Sequence, residues 1–101
     1  MAYISFNPWL QRQEGVFQEM TDNELSEIIE DADEAFRRWR LVSKEERCSM
    51  LRELGKSLLA RRLELAELMA SEMGKPVTQG LSEIEKCSQL CSWYAGNAPK
   101  I

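Results

Sequence analysis

The sequence contains no histidine. That removes the commonest general base, the Ser–His and Cys–His couples and the usual zinc ligands together. Glycine and proline are scarce, at five and three of 101 residues, which excludes a collagen-like repeat or a flexible low-complexity tail. No apolar run approaches the roughly 18 residues that a membrane-crossing helix needs. The first twenty residues hold no basic stretch followed by a hydrophobic one, so the expectation is a cytoplasmic chain without a secretory leader. Thirteen Lys and Arg stand against seventeen Asp and Glu, a net charge of −4. That balance argues against a nucleic-acid partner, because phosphate binding rewards surplus cation. Three cysteines suit free thiols in a reducing compartment. Cys87 and Cys91 fall on one helix face, but two thiols do not complete a tetrahedral metal site, so no metal is expected. All three cysteines read as small buried hydrophobes.

What remains is a single small domain, 44% hydrophobic and 30% charged. Tyr3-Ile4-Ser5-Phe6 is β-prone, Asn7-Pro8 breaks it, and Gly15-Val16-Phe17 resumes it, so 1–20 reads as a short hairpin. Thr21-Asp22-Asn23-Glu24 is a capping box opening a helix over 21–41. On it Leu25, Ile28, Ile29, Ala32, Ala35, Phe36 and Trp39 form one apolar stripe, with acids crowding the early turns and arginines the last. Ser43-Lys44-Glu45-Glu46 is a second capping box before 43–73, which reads as one long helix or two consecutive ones. Leu51, Leu54, Gly55, Leu58, Arg62, Leu65, Ala66, Met69 and Met73 trace its seam, and Arg62 within that seam marks a bend or a snorkelling stem. Gly74 stops that stretch and Pro76 is placed to be the first residue of a last helix over 76–96. Val77, Leu81, Ile84, Ser88, Cys91 and Ala95 form the inner stripe of this helix, which Gly96 and Pro99 close. The expected fold is mostly α: a short N-terminal β-hairpin followed by three to four amphipathic helices.

The chemistry-bearing motifs dissolve on inspection. Arg37-Arg38-Trp39-Arg40 lacks the broad basic face of a nucleic-acid site and fits a helix C-terminus. Glu83 and Glu85, two apart, point to different helix faces. Met50, Met69 and Met73 read as core filler. Gly74-Lys75-Pro76 lacks the glycine-rich approach and the Ser or Thr of a phosphate loop, and no G-x-G-x-x-G occurs. No catalytic, cofactor-binding or metal residue is expected in the segment.

The order of the signals carries a resemblance. After Asn7-Pro8 come Thr21-Asp22-x-Glu24-Leu25, Ala35-Phe36-Arg37-x-Trp39-Arg40 and Ser43-x-Glu45-x-Arg47. Then follow Glu64-Leu65-Ala66-x-Leu68-Met69, Glu72-Met73-Gly74-Lys75-Pro76, Glu83-Ile84-x-Lys86-Cys87 and Cys91-x-Trp93-Tyr94-Ala95. The series resembles the N-terminal segment of the NAD(P)-dependent aldehyde dehydrogenase superfamily, in particular its succinate-semialdehyde dehydrogenase-like branch. The resemblance implies that residues 1–101 are the N-terminal part of the coenzyme-binding domain of that α/β fold, a scaffold without chemistry of its own. It also implies NAD or NADP for the full-length family and none in this segment. In that chemistry a cysteine thiolate attacks the aldehyde, hydride passes to the nicotinamide and a Glu-activated water releases the acid. The family's Pro-Trp-Asn loop, Glu-Leu-Gly-Gly and Gly-Gln-x-Cys motifs do not occur here, and none of Cys48, Cys87 or Cys91 matches the nucleophile motif. Gly74, Lys75 and Pro76 match a family motif whose implied role is a helix break. One departure stands out: Trp9-Leu10-Gln11-Arg12-Gln13-Glu14 replaces the family's short Ala-Thr-Gly-Glu turn.

The expected partner is the remainder of an aldehyde dehydrogenase chain, or a second copy through exposed apolar helix faces. No nucleic acid and no membrane are expected. The competing expectation is a stand-alone helical interaction module using Trp39 and Trp93.

Overall fold

The computed structural model describes residues 2–101. Strand β1 (Ala2–Asn7) pairs antiparallel with β2 (Arg12–Gln18), setting Tyr3 opposite Phe17, Ile4 opposite Val16 and Ser5 opposite Gly15. Phe6 then faces Gln13, so Glu14 is the extra residue of a β-bulge on β2. The turn that departs from the family pattern is thereby absorbed. Asn7, 5% exposed, accepts the backbone N–H groups of Trp9 at 3.0 Å and Leu10 at 2.9 Å on its Oδ1. Gln11 takes a left-handed φ of 56° to bring the chain back.

Four helices follow: α1 (Asp22–Trp39), α2 (Lys44–Ala60), α3 (Arg62–Met73) and α4 (Val77–Asn97), with a 3-10 turn at Ala98–Lys100. Both halves of the capping box form at α1: the Glu24 N–H donates to Thr21 Oγ1 at 3.2 Å and the Thr21 N–H donates to Glu24 Oε2 at 2.8 Å. At α2, Ser43 Oγ accepts from the Glu46 N–H at 3.1 Å. The stretch 43–73 is two helices, broken at Arg61, whose ψ of 14° departs from helical values. Arg62 is the first residue of α3 rather than a seam position inside one long rod. Gly74 caps α3 with φ 75°. Pro76 has an extended ψ of 135° and occupies the N-cap, so Val77 and not Pro76 opens α4. Gly96 lies inside α4, which ends one residue later.

Helix α4 is the hub. It runs antiparallel to α2, and two polar contacts reinforce the pair: Ser88 Oγ donates to the Gly55 carbonyl at 2.9 Å and Arg52 Nη2 to the Ala95 carbonyl at 3.1 Å. It also packs along α3, and β1 in turn packs on α3. Small residues set these approaches. A Cβ on Gly55 would stand 3.0 Å from Cys91 Cβ, and one on Gly80 would stand 3.0 Å from Ala66 Cβ. The core is correspondingly thin: Cys48, Ala66, Ile84 and Ala95 are at most 5% exposed. Met50 and Met73, read from sequence as core filler, are instead 52% and 63% exposed.

The chain leaves much apolar surface uncovered. Its Cα radius of gyration is 17.8 Å, against about 13 Å for a compact chain of this length. Its accessible surface is 8176 Å², where a compact chain of its mass exposes about 5,900 Å². Helix α1 accounts for the most visible part, since none of its residues is buried. The faces that the periodicity marked as inner thus stay open to solvent along α1.

Candidate functional site

Gly74-Lys75 sits where α3 turns into α4, beside the tip of the hairpin. Pro8 closes on this turn, its Cγ 3.1 Å from where a Gly74 Cβ would be. Bulged Glu14 pins the hairpin to α3. Its carboxylate accepts from the Ser71 hydroxyl, from Asn7 Nδ2 at 3.1 Å and from Arg12 Nε at 3.2 Å. The Ser71 hydrogen bond, then the Asn7 amide and the Arg12 guanidinium, hold the Glu14 carboxyl below the usual carboxylate range. A depressed native pKa stabilises the ionised form, so this contribution is present above the ordinary carboxylate value and fades as pH falls through the native one. We expect the contact between hairpin and α3 to be intact at neutral pH and to weaken as the pH falls below the ordinary carboxylate range. The Gly15 and Ser71 amide shifts in NMR spectra report this, and Glu14→Gln should loosen the contact at neutral pH while flattening its pH dependence.

Between hairpin tip and helix turn lies an open groove. Trp9, Leu10, Ala70, Pro76 and Val77 contribute apolar surface, and Glu14 and Glu67 contribute carboxylates. Lys75 lines it too, but its ammonium is paired with Glu83 and its side chain is 19% exposed. A dinucleotide pyrophosphate needs a run of convergent backbone N–H groups or unpaired cations. This groove offers one neutralised lysine and two acids, so its residues do not fit that group.

The remaining sequence candidates are dispersed. Cys48 is buried on α2 near Ala98 and Ile101, Cys87 is exposed, and Cys91 is half-buried against Gly55. The reading of all three as buried hydrophobes therefore holds for Cys48 and fails for Cys87, which faces solvent. Among the described residues no three His, Cys, Asp or Glu side chains converge as a metal site. Arg37 reaches Asp33 at 2.9 Å and Arg38 lies 3.8 Å from Glu34, both within α1. Glu83 is engaged with Lys75. Trp93 and Tyr94 stack edge-to-face, 5.0 Å between ring centres, and both are about half exposed. What sequence reasoning missed is Glu14 as a latch. Its signal was the length of the turn, which leaves one residue over when the strands pair.

The described residues thus form a mostly α arrangement: a hairpin on α3, α3 and α2 packed on α4, and α1 standing off. The same arrangement occurs in the crystal structure of succinic semialdehyde dehydrogenase from Streptococcus pyogenes in complex with NADP+. There the TM-score is 0.91 at 30% identity, over 98% of this chain and 22% of that one. Residues 2–101 match the aldehyde dehydrogenase family, and the chain belongs to it. It is 36% identical over 98 residues to the succinate semialdehyde dehydrogenase (NAD(P)+) Sad of Escherichia coli, covering 97% of this chain and 21% of that protein. To the glutarate-semialdehyde dehydrogenase of Pseudomonas putida it is 32% identical over 95 residues, 94% of this chain and 20% of that one. The chain thus spans about a fifth of the length of the relatives it matches. Among the described residues no helix is long and apolar enough to cross a membrane.

Proposed function

We propose that residues 1–101 are the N-terminal part of the coenzyme-binding domain of an NAD(P)-dependent aldehyde dehydrogenase. The activity to which it would contribute is oxidation of a small semialdehyde, such as succinate semialdehyde, to the acid in the cytoplasm. The segment's own contribution is structural. It supplies α4 gripped by α2 and α3, and it holds no catalytic, cofactor-binding or metal residue. The observation that carries this reading is the uncovered apolar surface of a chain that matches a fifth of its relatives. Stripes at helical spacing that face solvent need a neighbour to lie on. In the assembled enzyme NAD or NADP supplies the hydride acceptor. This chain's residues would brace the domain that holds it. A free-standing interaction module is the competing reading, and no feature of the groove favours it.

The test is a chimera. Residues 1–101 replace the matching N-terminal fifth of the Escherichia coli relative, and succinate semialdehyde oxidation is followed by NAD(P)H absorbance. We expect the chimera to turn over and the 101-residue chain alone to give no NAD(P)H with either coenzyme. A folded chimera without activity, or turnover by the chain alone, overturns the reading.

A further inference from the structure

Among the described residues one buried side-chain nitrogen has no hydrogen-bond partner: Nε of Arg47. Buried donors are nearly always met, and one left unmet is a standing cost to the fold. Arg47 stands near the start of α2, three residues after Lys44, so two cations share one side of the helix. Like charges so placed repel. Glu45 and Glu46 do not relieve them, because the helix turns these two about 100° and 200° away from Lys44. Elsewhere the chain pairs its cations: Arg37 with Asp33, Lys56 with Glu53, Arg61 with Glu64 and Lys75 with Glu83. Lys44 instead reaches the Ile101 carbonyl, at 3.4 Å. Both cations line an open cleft of about 370 Å³ whose other walls are Cys48, Leu51, Ala98 and Ile101, with no Asp or Glu among them. The cleft leaves the half-buried guanidinium room to turn outward and present Nε and Nη together.

We propose that this cleft receives a carboxylate from the part of the protein beyond residue 101, held by the Arg47 fork and the Lys44 ammonium. Charge selects the chemistry. Two cations without an acid call for an anion, and a guanidinium takes a carboxylate through two parallel N–H···O bonds. The source follows from the proposed function, on which this inference rests. The chain spans about a fifth of the relatives it matches, and Ile101, from which the longer chain continues in that reading, forms one wall of the cleft. An Asp or Glu of the remainder neutralises the like-charged pair, gives Nε its acceptor and fixes the start of α2 against the rest of the domain. The uncovered helical stripes call only for some apolar neighbour, whereas this contact is polar and fixes one point of the assembly.

Zero-length cross-linking of the chimera described above tests it. A carbodiimide activates a carboxylate, and a lysine amine in contact with it displaces the activating group as a urea to leave an amide. Digestion and tandem mass spectrometry then name the acid. We expect an amide between Lys44 and one Asp or Glu beyond position 101. Arg47→Ala should shorten the half-life of the chimera at elevated temperature several-fold. Millimolar guanidinium should restore part of that loss, and tetramethylammonium at the same concentration should not. Replacing the cross-linked acid by its amide should shorten the half-life to a similar extent and add little in the Arg47→Ala background, as expected of two groups in one contact. An active chimera in which Lys44 joins no acid, or only acids within residues 1–101, overturns the proposal and leaves the proposed function standing. Full additivity of the two substitutions does the same. A folded chimera without activity removes the reading on which the proposal rests.

Discussion

Gly80→Val is expected to cost the chain about 3 kcal/mol or more, close to the upper range for overpacking a tight contact. The reason is positional. A Cβ at 80 would lie 3.0 Å from Ala66 Cβ and 3.1 Å from Ala66 Cα, so it meets backbone, which cannot swing aside as a long side chain can. Helices α3 and α4 must part, and α3 carries the hairpin with it. Gly80→Ala is the milder variant. It gains about 1 kcal/mol of helix propensity and loses about 1–3 kcal/mol to the contact, so a smaller net destabilisation is expected. Ala66→Gly in the Gly80→Ala background should recover most of it, because the spacing is restored with the small residue on the other helix. Urea midpoints of the four proteins measure this. Since small domains hold only about 5–15 kcal/mol, the valine variant loses a large share of the total and its urea midpoint should fall well below that of the parent chain. An unchanged midpoint would mean that Gly80 does not set the helix spacing.

The second large effect is expected at Gly74, for two separable reasons. Its φ of 75° is left-handed, which costs a residue with a Cβ about 1–2 kcal/mol. The same Cβ would also press on Pro8 Cγ at 3.1 Å, pushing the hairpin off the helix turn. Gly74→Val should therefore lose roughly 2–4 kcal/mol, since a β-branched side chain suffers most at positive φ. Gly74→Asn tolerates the conformation and keeps only the pressure on Pro8. Adding Pro8→Ala should relieve that remainder and leave the valine variant's conformational cost intact. Thermal melts of the set, with hairpin amide shifts as the local readout, separate the two contributions. Equal melting temperatures for the valine and asparagine variants would show that φ is not the controlling quantity.

Much of this fold was legible because its punctuation is local. Thr21 and Ser43 open helices through hydrogen bonds spanning three residues, and Gly74-Lys75-Pro76 closes one through a single left-handed residue. Such signals depend on no distant partner. The break at Arg61 was less legible. Arg62 drew attention as a cation in the seam, yet the irregular residue is its neighbour, and no glycine or proline marks it. Gly80 carried no sign of its importance, because closeness to Ala66 is a property of two helices and not of a spacing within one. The methionines misled for the opposite reason: their positions fit an apolar face, but Met50 and Met73 lie on faces that nothing in the chain covers. At the candidate site, the failure of Gly74-Lys75 as a phosphate loop was visible in the missing glycines. That Lys75 is neutralised by Glu83, eight residues on, emerges only when α4 folds back.

The break at Arg61 also bears on how the segment acquires its shape. Because α3 and α4 are joined by three residues, they meet as neighbours in sequence, and the contact of Ala66 with Gly80 closes a loop of only fourteen positions. Short loops close fast. The α3–α4 unit is therefore the natural nucleus, onto which α2 folds by pivoting at Arg61 and the β-ribbon by seating Glu14 on Ser71. Helix α1, on which no residue is buried, stands outside that order of assembly.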